Sequence, residues 1–572
     1  MTRTRRPAVV LAAVAVPAAL VAAATAVPAS ATSVPATSVP EHRHPRPGSP
    51  TALHLGAPGL PESRVTTPVQ RGVTRTVVTR GTADPALRWV VEVNMPALGS
   101  SNDPDTPTRS IQDRAAADAQ RARLAGAGFP AVVEEVRRPA AADVPAGVLG
   151  YRLRLVERTA DKAAADALVA RLKAAGFASR SWYSGWDGDV AAKGPWTVNV
   201  ITIDPRTFRG RLGATYGPDL ERREKTSALA GFTRATAAIN AGFFVMDPTA
   251  GAEGDPAGAA VYDGRLLSET VAGRPALALD PKARHTRVVN PVWTGELVHA
   301  QGRVRLDGIN RVIGLIRNCG GDLTDLPTAL PLHDVTCRDS AEAVAYTREF
   351  GARTPSGPGA EVVLHRGRVI AVHTSRGTVL GRGQTSVQAT GQTAAALARL
   401  RVGDRAGVEQ ALTDDGRRLD RKGTTVVNGG PELVRDGALH VTQKRDGMHQ
   451  PDNPSFDYGW VLQRNPRTFA GVDRAGRTML VTVDGRRPPA RRARAVDPRG
   501  GPGGQGPGDG RRDQPGRRRV DGDGRAGPAG DPPVRRDGRA AGRGRDRRPL
   551  TPPSPLPRLG SRPRLGGRPP SR

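Results

Sequence analysis

The chain has 572 residues, enough for two or three domains, and 85 Lys and Arg against 55 Asp and Glu give a formal charge of +30. Aromatic residues are only 4%, which argues against base-stacking platforms and nucleic-acid partners. The charge is also uneven: residues 487–572 hold 23 Arg, no Lys and 8 Asp, a net +15, which excludes a uniformly basic protein.

Arg3, Arg5 and Arg6 precede an apolar run from Ala8 to Val27, and Ala29-Ser30-Ala31 offers a small-x-small cleavage site. Residues 1–31 therefore predict a secretory signal peptide and a secreted product. A membrane anchor is the alternative, weakened by Pro17 and Pro28. No later run is long and apolar enough to span a bilayer, so no transmembrane segment is expected after cleavage. Residues 32–85 are rich in Pro, Thr and Ser and read as a linker. Cys319 and Cys337 are the only cysteines, and in an exported chain they predict a disulfide.

Residues 86–186 contain an internal repeat. Asp113-Arg-Ala-Ala-Ala-Asp118-Ala recurs as Asp161-Lys-Ala-Ala-Ala-Asp166-Ala, and 12 of 17 positions from Asp113 to Phe129 are identical at an offset of 48. Each copy is a helix pattern stopped by Gly. An alternating apolar stretch precedes each copy, at Trp89–Val93 and Tyr151–Leu155, and another follows, at Ala131–Val136 and Ser179–Tyr183. This is β-α-β twice, a ferredoxin-like pattern. With the Ala-Gly-Phe helix ends at Phe129 and Phe177, the region resembles a SPOR domain. The resemblance implies binding to glycan strands of peptidoglycan and association with the cell wall.

Residues 195–486 read as an α+β domain of many short strands joined by Gly turns. Strands are predicted at Trp196–Ile203, Ala259–Tyr262, Ala276–Leu279, Glu361–Leu364, Val369–His373, Thr424–Val427 and Thr478–Val483. Helices are predicted around Ala341–Phe350 and Ser386–Leu400. The chemistry-bearing segments are Ile239-Asn240-Ala241-Gly242-Phe243-Phe244, Gly254-Asp255-Pro256, Gly273-Arg274-Pro275, Val427-Asn428-Gly429-Gly430-Pro431, Asn465-Pro466-Arg467-Thr468 and Thr482-Val483-Asp484-Gly485-Arg486. In this order they resemble the phosphodiester glycosidase family, whose animal members uncover mannose 6-phosphate by removing N-acetylglucosamine. The resemblance implies a mixed-sheet domain and hydrolysis of sugar-1-phosphate diesters.

The residue types suit that chemistry. Arg467 and Arg486 are candidates to grip the phosphate with paired donors. Asn240 can hydrogen-bond a sugar hydroxyl or a phosphate oxygen, and Gly242 allows close backbone approach. Asp484 is a candidate acid/base carboxylate or ligand of a divalent metal. The bland readings are a β-turn at Asp484-Gly485, a surface ion pair at Arg467, core packing for Phe243 and Phe244, a turn at Asn428-Gly-Gly, and surface positions for His333 and His449.

Family members carry a further Asn-Leu-Asp-Gly-Gly-Gly-Ser signature after the Asp-Gly-Arg segment, and this sequence has no such string. Residues 487–572 instead hold 23 Arg, 18 Gly and 17 Pro, with no aromatic, Ile, Met, Lys or Glu. Such a tail cannot build a core and reads as disordered. It is also what a GC-rich gene yields out of frame. One permitted codon set for Asp513–Gly524, started one base later, translates as Ile-Asn-Leu-Asp-Gly-Gly-Gly-Ser-Thr-Ala-Met. The same shift permits Gly-Leu-Ser-Ile-Pro-Glu-Ala-Ala over Arg494–Gly501 and Thr-Gly-Glu-Arg-Pro-Val-Gly-Asp-Ala-Ile over Asp537–Asp546. The expectation is a frameshift between Arg486 and Arg494, which leaves the glycosidase domain incomplete and inactive as written. An RNA-binding Arg/Gly tail is the rival reading of that segment, and a non-catalytic peptidoglycan-binding wall protein is the rival reading of the whole.

Overall fold

The computed structural model describes residues 52–96, 109–188, 192–246, 248, 251–271, 273–316, 326–327, 337–450 and 453–486. The predicted signal peptide, Cys319, His333 and the Arg-rich tail lie outside these residues, as does the side chain of Cys337. The fold is α+β overall, mostly β-sheet with few helices.

The first sheet corrects the linker expectation. Within residues 32–85, β1 (Glu62–Gln70) and β2 (Val73–Arg80) form an antiparallel hairpin. After the repeat region the chain returns as β8 (Trp196–Ile203), which pairs with β2 from Val73↔Ile203 to Arg80↔Trp196. The strands Thr478–Val483 and Arg467–Val472 complete the sheet in that order. The Thr- and Val-rich stretch suits a half-buried strand, but its partner lies over a hundred residues away. The repeat region is thus an insertion between two neighbouring strands of one sheet.

Inside the insertion the elements run β3 (Trp89–Val93), β4 (Ile111–Gln112), α1 (Arg114–Gly126), β5 (Ala131–Arg138), β6 (Gly147–Leu155), α2 (Lys162–Ala174) and β7 (Ser179–Tyr183). The sheet order is β7-β3-β6-β5, antiparallel throughout, and β4 also pairs with β6. The repeat explains both helix starts. Asp113 caps α1 by accepting from the Ala116 N–H at 2.8 Å, and Asp161 caps α2 by accepting from the Ala164 N–H at 2.9 Å. Both helices are followed by glycine at positive φ, Gly128 at 79° and Gly176 at 82°. The two halves clasp each other: Arg123 lies over the Phe177 ring and Arg171 over the Phe129 ring, each at 5.6 Å. Val91, Val93, Leu153 and Leu155 pack against Leu124, Leu168 and Leu172 of the helices. By strand alternation Glu92, Arg152, Arg154, Arg180 and Trp182 face away from the helices.

The rest of the chain forms further sheets. One has the order Arg265–Ser268, Ala260–Tyr262, Thr425–Asn428, Ala276–Leu279, Arg287–Val289. Another joins Gly308–Ile309, Ala343–Thr347, Gln384–Ala389, Gly357–His365 and Arg368–Arg376. Gly308–Ile309 with Ala343–Thr347 is the parallel pair among the described strands; the remaining pairings are antiparallel. The largest core lies here, around Leu297, Leu306, Val362, Val387 and Leu397.

Two helix expectations are corrected. Ala343–Thr347 is a strand, and Ala343, Val344, Ala345 and Tyr346 are buried because strands flank it on both sides. Residues 386–400 split into the end of a strand and the short helix Gly391–Leu397. Beside this sheet Asp307 accepts from the Ala343 N–H at 2.8 Å; burial and the neighbouring Glu342 still push its carboxyl up to about 6.

Candidate functional site

The motif segments around Phe243, Pro256, Arg274 and Asn428 converge where the strand Thr425–Asn428 ends, whereas Asp484-Gly485-Arg486 meets the Asn465-Pro466 segment instead. Asn428 is buried, and its side chain grips the Phe243 backbone from both sides. Its Oδ1 accepts from the Phe243 N–H at 2.7 Å, and its Nδ2 donates to the Phe243 carbonyl at 3.3 Å. Gly242 sits beside it at φ 72°, and a Cβ there would lie 3.4 Å from Asn428 Nδ2. The reading of Asn428-Gly-Gly as a plain turn is therefore replaced: its side chain builds the site. The signal was present in the Asn-Gly-Gly-Pro string, but its partner is 185 residues away.

Arg274 is buried, donates from Nη1 to the Ala257 carbonyl at 3.2 Å, and lies over the Phe243 ring at 5.0 Å. Trp460 meets the same ring edge-on at 6.3 Å. Phe243 thus packs as expected, whereas Phe244 is 39% exposed and is not a core residue. Trp460 belongs to a π-helical turn, Tyr458–Leu462. Such turns cost hydrogen-bond geometry and concentrate at functional sites.

Arg467 holds that turn. Its Nη2 donates to the carbonyls of Trp460 at 2.6 Å, Val461 at 3.2 Å and Gln463 at 3.3 Å. The surface-ion-pair reading of Arg467 gives way to a half-buried cap on backbone carbonyls, and desolvation together with Arg486 lowers its pKa. Next to it, the Thr468 hydroxyl lies 2.6 Å from Asn240 Oδ1 and donates to it. Asn240, Gly242 and Arg467 are in this way linked through Asn428 and Thr468.

Asp484 follows the strand Thr478–Val483 directly, and its N–H donates to the Thr197 carbonyl at 3.0 Å. Gly485 is pressed against the Asn465–Pro466 backbone, where a Cβ would lie 2.1 Å from Pro466 N. Arg486 donates to the side-chain oxygens of Asn465 and Gln463 and lies over the Trp182 ring at 4.9 Å. Among the described residues its partners are neutral. Burial and the nearby Arg180 lower its pKa.

His449 is not a surface residue. Its side chain is 12% exposed, and Nδ1 lies 2.6 Å from Oδ2 of the buried Asp457. Among the described residues no group of three or more His, Cys, Asp or Glu could hold a metal ion, so the divalent ion considered from the sequence finds no ligand set there. A surface cavity of about 490 Å³ opens elsewhere, lined by Asp339, Arg376, Thr390 and Gly391, and contains none of the motif residues.

The helix-free face of the insertion is closed by the same segment. Tyr458 donates to Glu92 Oε2 at 2.9 Å and accepts from Arg152 Nη1 at 2.9 Å. Glu92 is fully buried and also receives Arg154 at 3.0 Å and Arg180 at 2.5 Å. Burial pushes its carboxyl up, but Arg180, Arg154 and Arg152 outweigh it and hold it down at about 2. Ile111 and Val136 pack with Tyr458 on this face.

The profile of the family described as phosphodiester glycosidase matches residues 358–497, and that of the SPOR domain matches residues 109–179. No curated protein matches the chain. The crystal structure of a "putative exported protein" from Burkholderia pseudomallei is similar at 30% identity and a TM-score of 0.65, over 77% of this chain and 87% of that one. A hypothetical protein from Synechocystis aligns at 15% identity and a TM-score of 0.39, over 75% of this chain and 69% of that one, too distant to carry an argument. No described helix is long and apolar enough to cross a membrane. The chain carries a phosphodiester glycosidase domain, matched over residues 358–497, with a SPOR domain ahead of it at residues 109–179.

Proposed function

We propose that the protein is an exported, cell-wall-associated hydrolase of sugar-1-phosphate diesters, and that its glycosidase domain is incomplete at the C-terminus as written. Water adds across the ester, releasing the sugar and a phosphate monoester. Arg486 holds the phosphate, Asn240 a hydroxyl or phosphate oxygen, and the Gly242 backbone permits close approach. Asp484 and the carboxylate of the out-of-frame signature share the proton transfers. The observation that carries this reading is the convergence of the motif segments on Phe243, Asn428 and Arg467.

The domain limits that go with it are a signal peptide at 1–31, a SPOR-like ferredoxin-like module at 86–186, a glycosidase domain at 195–486 joined by the 62–80 hairpin, and an out-of-frame tail at 487–572. A Cys319–Cys337 disulfide is part of the same reading of an exported chain. The SPOR module supports peptidoglycan as the wall partner. Two exposed surfaces support incompleteness. The helix α3 (Thr226–Thr233) is apolar yet has no buried residue, and it leads into Asn240. The edge strand Arg467–Val472 leaves Phe469 and Val472 exposed. Covering strands of the kind the +1 frame permits would bury both.

The test is turnover of a sugar-1-phosphate diester by frame-corrected protein, run beside a peptidoglycan pull-down. Release of the sugar supports the hydrolase. Binding without release favours the non-catalytic wall protein. A gene whose codons 513–524 lack the signature in the +1 frame removes the frameshift.

A further inference from the structure

The helix-free face of the SPOR sheet ends on Trp182, a residue 2% exposed that no motif singled out. Its indole Nε1 donates to Asp187 Oδ1 at 2.8 Å, and its ring is braced edge-on by Trp186 at 5.3 Å. Two guanidinium groups lie over this ring: Arg180 at 4.4 Å, from the same strand, and Arg486 at 4.9 Å, from the end of the glycosidase hairpin. Arg180 pairs with Glu92, a carboxylate that Arg154 also shares, whereas among the described residues Arg486 meets the amide oxygens of Asn465 and Gln463. An aromatic face attracts a guanidinium and fixes its plane while leaving its edge donors available. Arg486 is thus an exposed cation, oriented by the SPOR domain, without a countercharge among the described residues.

We propose that the SPOR domain forms one wall of the phosphate subsite: Trp182 is a positioning residue that holds Arg486 edge-on to the anionic group of a phosphodiester, and Arg180 adds positive potential beside it. This rests on the reading that the site takes a sugar-1-phosphate diester, and it adds that the wall-binding module is also a structural part of that site. The cation–π contact holds one plane of the guanidinium, Asn465 holds one edge, and the other edge faces the ligand. Free inorganic phosphate and a diester share this chemistry, so both serve as probes.

The experiment is calorimetric titration of the full chain with the methyl diester of N-acetylglucosamine-1-phosphate, and separately with inorganic phosphate, at fixed ionic strength. The basic tail is unchanged in every variant and so contributes equally. Arg486→Gln and Trp182→Leu are each expected to weaken diester binding about tenfold, the double variant no more than the stronger single one, and Trp182→Phe to retain most of the affinity. If Trp182→Leu binds like the parent while Arg486→Gln does not, the SPOR contribution is refuted and the phosphate role of Arg486 stands. If Arg486→Gln also binds like the parent, both fall. Should Trp182→Leu fail to fold, Trp182→Phe paired with Arg180→Gln decides: a diester affinity unchanged in Arg180→Gln and lost in Trp182→Phe contradicts the proposal. Phosphate binding that survives in Arg486→Gln marks the tail as the anion site.

Discussion

Replacing Glu92 by Gln should cost about 3 kcal/mol of stability at neutral pH, and the cost should vanish in acid. The carboxyl is fully buried and shared by Arg154, Arg180 and the Tyr458 hydroxyl. Holding it at about 2, against an ordinary 4.5, corresponds to about 3 kcal/mol. Because the folded value is depressed, this stability is fully present above pH 4.5 and is lost as pH falls through 2. Gln preserves the shape and one acceptor but removes the charge, leaving Arg154 with Asp187 and Arg180 without a carboxylate. Urea unfolding followed by near-ultraviolet circular dichroism, at several values between pH 7 and pH 2, measures the difference. The expected curves are separated at pH 7 and meet near pH 2. Parallel curves across that range would refute the reasoning, because the charge would then contribute nothing to the junction.

Asn428→Ala removes both hydrogen bonds to the Phe243 backbone and leaves buried groups unpaired, so urea unfolding should show a loss of about 2–3 kcal/mol. Gly242→Ala forces a side chain into φ 72° and should cost about 1 kcal/mol by the same measurement. Asp113→Ala and Asp161→Ala each delete one helix cap and should each cost about 1 kcal/mol, adding in the double variant because the caps lie on separate helices. Asp307 has the opposite sign to Glu92. Its folded value is raised from 3.8 to about 6, so its contribution is present below pH 3.8 and lost as pH rises through 6. Asp307→Asn should therefore gain on the parent in thermal melts between pH 4 and pH 6, and equal curves would contradict the burial argument.

Much of the local structure could be read from the chain because its signals are local. Asp113 and Asp161 announce helix starts, and the alternation in Trp196–Ile203 and Thr478–Val483 announces strands that pair with each other. What could not be read is non-local. Ala341–Phe350 has helical composition, yet flanking strands impose extended backbone on Ala343–Thr347, a tertiary effect that overrides propensity. Residues 62–80 have linker composition, yet β8 gives them a partner. At the site, the sequence marks Asn240, Gly242, Arg467, Asp484 and Arg486 as chemistry. Asn428 stands in a marked Asn-Gly-Gly-Pro string, but its role in holding the Phe243 backbone, like that of Trp460 against the Phe243 ring, is set by folding. Trp182 carried no motif and gains meaning from Arg486, whose segment lies about 300 residues later.

The insertion of the SPOR module between β2 and β8 has a mechanical consequence. Its two chain ends leave from one rung of one ladder, Arg80↔Trp196, and its sheet face is clasped by Tyr458. A module on a single leash would sweep a sphere of positions. This one is doubly tethered and clamped, so module and motif segments behave as a fixed ruler. On the proposed function, a glycan strand held by the module would present to the motif segments only those phosphodiesters at one stand-off distance. Substrate choice would then follow the spacing of groups along the wall, through local concentration, as much as the chemistry of any one sugar.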